Sequence, residues 1–172
     1  MAATREVLRD SIGQMGSVFV DPADPQACRV GLLIGIGPDC LFLDDVSPEG
    51  EGRGLLVMPF AADLRFDFNS SYSLGFKGFE SSLPMEAFDY VGKSWQGCLA
   101  LALERREYVW VGHLEGFSAG RLDRFNEFWI RTAHEFEDDR PDYVEIVRMG
   151  RVLFVRLYGE QRTWDDEEEA ED

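Results

Sequence analysis

Short apolar runs separated by glycine, proline and aspartate turns fill the first half of the chain, and this pattern predicts an antiparallel β fold. The runs 30–36 and 40–43 flank Gly37-Pro38-Asp39, a turn sequence that is typical of a β-hairpin. Apolar residues alternate with polar ones over much of 64–79, which is the period of half-buried strands. We therefore predict about five or six short strands between residues 17 and 80, at a spacing typical of a barrel or a sandwich.

The second half of the chain mixes helical and strand patterns. Residues 95–103 fit a helix or a strand, because their leucines alternate with alanines. Over 121–137, apolar residues recur at the spacing of one helical face, which predicts the longest helix of the chain. The apolar runs 143–147 and 152–158 flank Met149-Gly150 and predict a C-terminal hairpin. The residues on the helical face are Leu122, Phe125, Trp129, Ala133 and Phe136.

These elements predict one domain over residues 1–160, of the α+β class and mainly antiparallel β. A short helix near the N-terminus comes first. The barrel-like part covers about 17–114, and the longer amphipathic helix with the C-terminal hairpin covers about 118–158. Residues 163–172 form an acidic tail that we predict to be disordered, because its like charges repel one another.

Acidic residues dominate the charge of the chain and argue against two classes of partner. The formal net charge is −16, and seven of the negative charges lie in 165–172, so the rest still carries about −9. An acidic body repels the phosphate backbone of DNA or RNA and the headgroups of anionic lipids. The sequence also contains no apolar run long enough to span a bilayer and no signal-peptide pattern. We therefore expect a cytoplasmic location without membrane contact.

Candidate catalytic residues are few, and their surroundings argue against an enzyme. The chain has two histidines, His113 and His134, and neither belongs to a recognisable metal-binding pattern. Gly116-Phe117-Ser118-Ala119-Gly120 has the spacing of a nucleophile elbow, but the chain lacks the alternating βαβ pattern in which an elbow occurs. The three cysteines form no Cys-x-x-Cys pair. We therefore predict a non-enzymatic protein with no metal and no cofactor.

Three groups of short motifs carry a resemblance to a known family. They are the early helix Val7-Leu8-Arg9-Asp10, the hairpin sequence over 33–43, and Gly75-Phe76-Lys77-Gly78-Phe79 with the later Arg105-Arg106-Glu107-Tyr108. Together, over residues 7–110, they resemble the N-terminal domain of the flagellar-brake group of PilZ-type cyclic-di-GMP receptors. The resemblance implies a small split β-barrel that leads into an arginine-rich linker. It also implies a role in motility or cyclic-di-GMP signalling.

The same resemblance implies which residues would hold a ligand. In that family the linker reads Arg-x-x-x-Arg, and both arginines bind the cyclic dinucleotide. Here Arg106 takes the first position, but Trp110 takes the second. The family's other signature occurs at Asp45-Val46-Ser47-Pro48-Glu49-Gly50, before the linker rather than after it. We therefore take Arg105 and Arg106 as candidate ligand-binding residues, and we expect a regulatory or protein-interaction protein with impaired binding of cyclic-di-GMP.

Two other classes of function remain open. The C-terminal part looks like the end of FMN-binding split barrels of the pyridoxamine-oxidase type, with Arg65, Ser73 and Lys77 as candidates for the FMN phosphate. The net charge also fits an acidic inhibitor or immunity-type protein that binds a basic partner through electrostatic steering. The regulatory function and the inhibitor function both imply a protein partner. An exposed aromatic residue such as Trp110 or Trp164 would belong to the interface.

Overall fold

The computed structural model describes residues 2–19, 28–60, 65–76, 78–136 and 140–159, and the statements below concern these residues. They form two helices, α1 (Ala2–Arg9) and α2 (Trp95–Glu104). The strands are β1 (Met15–Phe19), β2 (Cys28–Ile36), β3 (Cys40–Val46), β4 (Gly52–Pro59), β5 (Arg65–Phe68), β6 (Tyr108–His113), β7 (Gly116–Phe125), β8 (Trp129–Phe136), β9 (Arg140–Arg148) and β10 (Val152–Leu157). No helix in these ranges is long and apolar enough to cross a bilayer. The predicted tail, 163–172, lies outside the described residues.

The strands form one sheet in the order β5-β1-β2-β3-β4-β10-β6-β7-β8-β9, and every neighbouring pair is antiparallel. β10 lies between β4 and β6 and therefore connects the N-terminal strands with the C-terminal ones. β5 and β9 end the order and are not paired with each other, so the sheet is open in its described part. A mainly antiparallel α+β fold is thus confirmed, whereas a barrel is not.

The predicted Gly-Pro-Asp hairpin is confirmed, but the alternating pattern around Leu74 is not a strand. β2 and β3 pair, and the amide of Gly37 donates to the carbonyl of Cys40 at 2.8 Å. Ser73–Phe76 instead forms a 3-10 turn. Ser70 supports this turn, because its carbonyl accepts the amide of Leu74 at 2.8 Å and its hydroxyl accepts the amide of Ser73 at 3.2 Å. These local bonds compete with strand pairing and bend the chain.

The helix predicted over 121–137 is wrong, because this segment forms the end of β7, a turn and β8. The side chain of Asn126 accepts the amides of Phe128 at 2.8 Å and Trp129 at 3.0 Å, and these bonds stabilise the turn. Within the strands the inward positions follow a period of two, so Leu122 and Ile130 reach the core. The apolar residues of two strands, one on each side of a turn, therefore happen to have the spacing of one helical face.

The predicted C-terminal hairpin is also wrong. β9 pairs with β8, whereas β10 crosses to the middle of the sheet and pairs with β4 and β6. A 3-10 turn, Met149–Arg151, separates the two strands. Val152, Phe154 and Val155 are all buried, so β10 has apolar side chains on both of its faces. A strand of this kind is stabilised at the centre of a sheet rather than in a hairpin at its edge.

The segment that fitted either a helix or a strand forms α2. The hydroxyl of Ser94 accepts the amide of Gly97 at 3.1 Å and caps the first turn. One face of the helix packs against the sheet. The buried residues of α2 are Trp95, Cys98, Leu99 and Ala102.

Replacing Ser94 by alanine is expected to lower the free energy of unfolding by about 1 kcal/mol, because the first turn of α2 loses its cap. Urea denaturation followed by circular dichroism measures this change. The matched control is Ser94→Asp, which retains a side-chain acceptor and should keep most of the stability. An unchanged urea midpoint in Ser94→Ala would contradict the capping role.

Two apolar clusters lie on opposite faces of the sheet. The helix-side core packs α2 against alternate residues of the central strands, such as Phe42 and Leu55. The opposite core contains the intervening residues of the same strands, such as Leu41 and Leu56, together with Phe154 of β10. Strand β3 is buried along its whole length because it serves both cores.

Candidate functional site

The candidate ligand-binding residue Arg105 lies at the end of α2 and is bonded to neighbouring elements. Its guanidinium forms an ion pair with Asp89. Nη1 of Arg105 donates to the carbonyl of Glu86 at 3.1 Å and to the hydroxyl of Tyr158 at 3.4 Å. The guanidinium also lies 5.6 Å from the ring centroid of Tyr90. These contacts hold the helix end, the turn before α2 and the chain after β10 together.

The second candidate, Arg106, is exposed where the chain leaves α2. Its φ of 55° lies in the left-handed region, which residues other than glycine seldom adopt. Trp110, which takes the position of the second linker arginine, lies on β6 between Val109 and Val111. Those two valines belong to the helix-side core, so the side chain of Trp110 projects from the other face. Arg105 contacts Tyr90 of the helix-side core, so Arg105 and Trp110 lie on opposite sides of the sheet.

The residues suggested for an FMN phosphate make local contacts where they are described. Arg65 on β5 places its guanidinium over the ring of Phe19 at 4.8 Å from the centroid. Ser73 is buried, and its hydroxyl donates to the carbonyl of Ser70 at 3.2 Å. Lys77 lies outside the described residues. None of these contacts joins Arg65 to Ser73.

A groove of about 600 Å³ opens beside the β6–β7 turn and β9. His113, Glu115 and Ser118 line one part of it, and Glu115 forms an ion pair with Arg151 of the 3-10 turn. Nε2 of His134 lies 3.9 Å from the carboxylate of Glu145, which also lines the groove. Ser118 is buried within β7 rather than presented on a strand-to-helix turn, so the nucleophile-elbow geometry is absent at this serine.

Four apolar side chains project from β6, β7 and β9 on the face opposite α2, and we call them the outer apolar surface: Trp110, Phe117, Val144 and Ile146. Phe117 lies opposite Gly112, which shares the face of Trp110 on β6. Val144 and Ile146 lie opposite Ala133 and Arg131 of β8, which project from that same face. Phe117 is 65% exposed and Ile146 is 66% exposed. The ring of Trp110 packs against that of Phe117 with 5.1 Å between the centroids.

The outer apolar surface reaches one end of the sheet. β9 carries Val144 and Ile146, and among the described strands it pairs with β8 alone. The free side of such a strand presents amide and carbonyl groups that can bind a strand from another chain. Sequence reasoning identified Trp110 as an interface candidate but missed Phe117, Val144 and Ile146. The alternation of Val144, Glu145 and Ile146 was the available signal for a strand with one apolar face.

Comparison with known proteins identifies no relative. No family model matches the chain, and neither a curated protein nor a solved structure matches it significantly. The resemblance to the flagellar-brake domain therefore stays a prediction, and so do the ligand and the partner that it implies.

Proposed function

We propose that the chain is a non-enzymatic regulatory or protein-interaction protein that binds its partner through the outer apolar surface. The observation that carries this proposal is the exposure of Phe117 and Ile146, at 65% and 66%, on regular strands of one sheet. Large apolar side chains exposed on one face of a sheet favour a partner that removes them from water. Trp110, packed beside Phe117, is of the residue type most enriched in interface hot spots.

The charge of the chain suggests the charge of the partner. A net charge of −16 attracts basic proteins over long distances and speeds their association. We therefore propose a partner that is basic overall and that presents an apolar segment to the outer apolar surface. An acidic inhibitor or immunity-type protein is the more specific form of this proposal.

Partner capture tests the proposed surface. The wild-type chain is compared with Phe117→Ser/Ile146→Ser, which removes the two most exposed members of the outer apolar surface. Each is used to capture proteins from cells that naturally express the chain, and the captured protein is then purified and titrated back. We expect the double variant to weaken binding of the purified partner at least about tenfold, since two side chains of this size each contribute roughly 1–2 kcal/mol. Raising the salt concentration should slow association.

A matched control separates the outer apolar surface from general exposure. Val7 on α1 and Met85 in the turn before α2 are also exposed and apolar. The variant Val7→Ser/Met85→Ser should bind the partner as the wild type does. Equal binding by the wild type and Phe117→Ser/Ile146→Ser would contradict the proposal, as would the failure of the wild-type chain to capture any partner.

We also propose impaired nucleotide binding in a motility or cyclic-di-GMP signalling context. Two observations support impaired binding: Trp110 takes the second linker position, and a phosphate at Arg105 would have to displace Asp89 and Tyr158. Thermal unfolding with cyclic-di-GMP should show no rise of the midpoint at concentrations that saturate ordinary receptors. A higher midpoint would contradict impaired binding, because a ligand of the native state raises stability. The same measurement with FMN tests the oxidoreductase alternative.

A further inference from the structure

A buried ion pair joins β3 and β10 across the intervening strand β4. The carboxylate of Asp45 accepts from Nη2 of Arg156 at 2.6 Å, and these side chains are 2% and 14% exposed. Asp45 lies opposite Gly31 on one side and Gly54 on the other. Because Gly54 has no side chain, Arg156 reaches Asp45 over β4. Gly54 has a φ of 109°, and a Cβ there would lie 2.4 Å from the carbonyl oxygen of Leu157.

The charges of two further arginines act on the same carboxylate. The guanidinium of Arg29 on β2 lies 4.7 Å from the ring centroid of Phe154, which is on β10. Burial lowers the pKa of Arg29, Asp45 partly restores it, and Arg156 and Arg53 lower it again. The charges that act on Asp45 are those of the same three arginines. We call Arg29, Arg53 and Arg156 the arginine cluster.

Positive charge is in excess inside the arginine cluster. The charges of three arginines act on the single buried carboxylate of Asp45. Burial raises the pKa of Asp45 more than any arginine lowers it, so even this one negative charge is costly to maintain. Where water is largely excluded, this excess of positive over negative charge favours the binding of an anion.

Two buried hydrogen-bond donors beside the cluster have no acceptor in the part of the chain that the structure describes. Arg156 lies directly opposite Trp110, so both side chains project from the same face of neighbouring strands. Nε of Arg156 and Nε1 of Trp110 are both buried, and neither has a hydrogen-bond partner among the described residues. Leaving a buried donor without an acceptor costs about 1–3 kcal/mol. An oxyanion would supply an acceptor of the kind that both groups bind.

We propose that the arginine cluster, together with the indole of Trp110, binds the phosphate or carboxylate group of a small molecule. Arginine presents planar, forked donors that match the oxygens of either group. Phe117 packs on Trp110 and is largely exposed, so it offers an apolar support for the rest of the ligand. Because the chain as a whole repels anions, binding here requires the local contacts of the cluster. This inference does not rest on the proposed protein partner.

Nuclear magnetic resonance of the indole Nε1–H groups tests the site directly in the full chain. The chain has four tryptophans, and the variant Trp110→Phe assigns the relevant resonance. The probes are inorganic phosphate and pyrophosphate for one chemical source, and benzoate for the other. Ionic strength is held constant with sodium chloride. We expect a saturable shift of the Trp110 signal with at least one of these probes and no comparable shift with chloride.

Charge-removing variants establish which residues bind the anion. Arg53→Gln is expected to weaken binding of the active probe about tenfold, which is the effect of losing one hydrogen-bonded charge. Arg124→Gln is the matched control, since Arg124 is exposed on β7, and it should change the affinity less than twofold. If Arg53→Gln fails to fold, Arg29→Gln replaces it with the same expected loss. The proposal is overturned if no probe gives a saturable shift, or if Arg53→Gln and Arg124→Gln bind equally well.

Discussion

Replacing Arg156 by methionine is expected to lower the free energy of unfolding by about 3 kcal/mol. The substitution leaves Asp45 without the guanidinium that lies 2.6 Å from its carboxylate. A carboxylate with 2% of its side chain exposed cannot be rehydrated in the folded chain, so the loss of its partner is expensive. Methionine keeps much of the apolar stem of arginine, and the loss therefore reports mainly the charge. Urea denaturation followed by circular dichroism measures the change.

Two controls identify the cause of that loss. Arg124→Met removes an exposed arginine and should change stability by less than about 0.5 kcal/mol. The double variant Asp45→Leu/Arg156→Met removes both charges of the pair, so it should be more stable than Arg156→Met alone. We expect a partial recovery, because Arg29 and Arg53 also lose their buried carboxylate. A double variant as unstable as the single one would show that packing, rather than charge, causes the loss.

Replacing Asp44 by asparagine is expected to raise the free energy of unfolding by about 1–3 kcal/mol at pH 8. Asp44 lies opposite Leu55 on the helix-side face and is fully buried. Neither of its carboxylate oxygens reaches hydrogen-bonding geometry with a described residue. Burial is the main cause that raises the pKa of Asp44, the nearby Ser81 hydroxyl partly offsets the rise, and Asp45 adds to it. Removing the charge of Asp44 therefore stabilises the folded chain relative to the unfolded chain.

The pH dependence of this gain follows from the direction of the pKa shift. The pKa of Asp44 is raised in the folded chain, while in the unfolded chain it stays near the ordinary value of about 3.9. The folded chain therefore binds the proton first as the pH falls, and its stability relative to the unfolded chain rises. The advantage of Asp44→Asn should be largest near pH 8 and should shrink as the pH falls toward about 4.

Denaturation of the wild type and Asp44→Asn at several pH values measures this difference, which cancels the contributions of the other acidic residues. Asp67→Asn on β5 is the matched control, and it should change stability by less than about 0.5 kcal/mol. A variant less stable than the wild type at pH 8, or a gain that grows on acidification, would contradict the account of Asp44.

Local patterns in the sequence predicted the parts of the fold that local interactions stabilise. The Gly37-Pro38-Asp39 turn determines its hairpin because its residues favour the turn whatever surrounds them. The helix predicted over 121–137 is wrong because the apolar periodicity extends across Asn126, whose side chain closes a turn. The predicted N-terminal helix is present as α1. For residues 95–103 the sequence fitted a helix or a strand, and the cap from Ser94 together with packing on the sheet stabilises the helix α2.

The candidate sites depended on contacts between distant parts of the chain, so they were hardest to predict. Arg105 was identified from a motif, but its contacts with Asp89 and Tyr158 come from elements that the motif does not contain. Arg29, Arg53 and Arg156 are scattered along the sequence, and no spacing rule connects them. Arg156 reaches Asp45 because β10 enters the sheet beside β4 and because Gly54 leaves room for its side chain.

The sequence by itself determined that the chain is acidic, β-rich and mainly antiparallel, since charge and short-range apolar periodicity are properties of the residues and their neighbours. Only the tertiary structure decided that β10 separates from β9 and occupies the middle of the sheet, because burial on both faces is satisfied by strands far away in sequence. That choice brings the guanidinium of Arg156 to the carboxylate of Asp45, while Phe117 and Ile146 stay exposed on one face of the sheet. Both proposed sites therefore arise from long-range strand pairing rather than from any local motif.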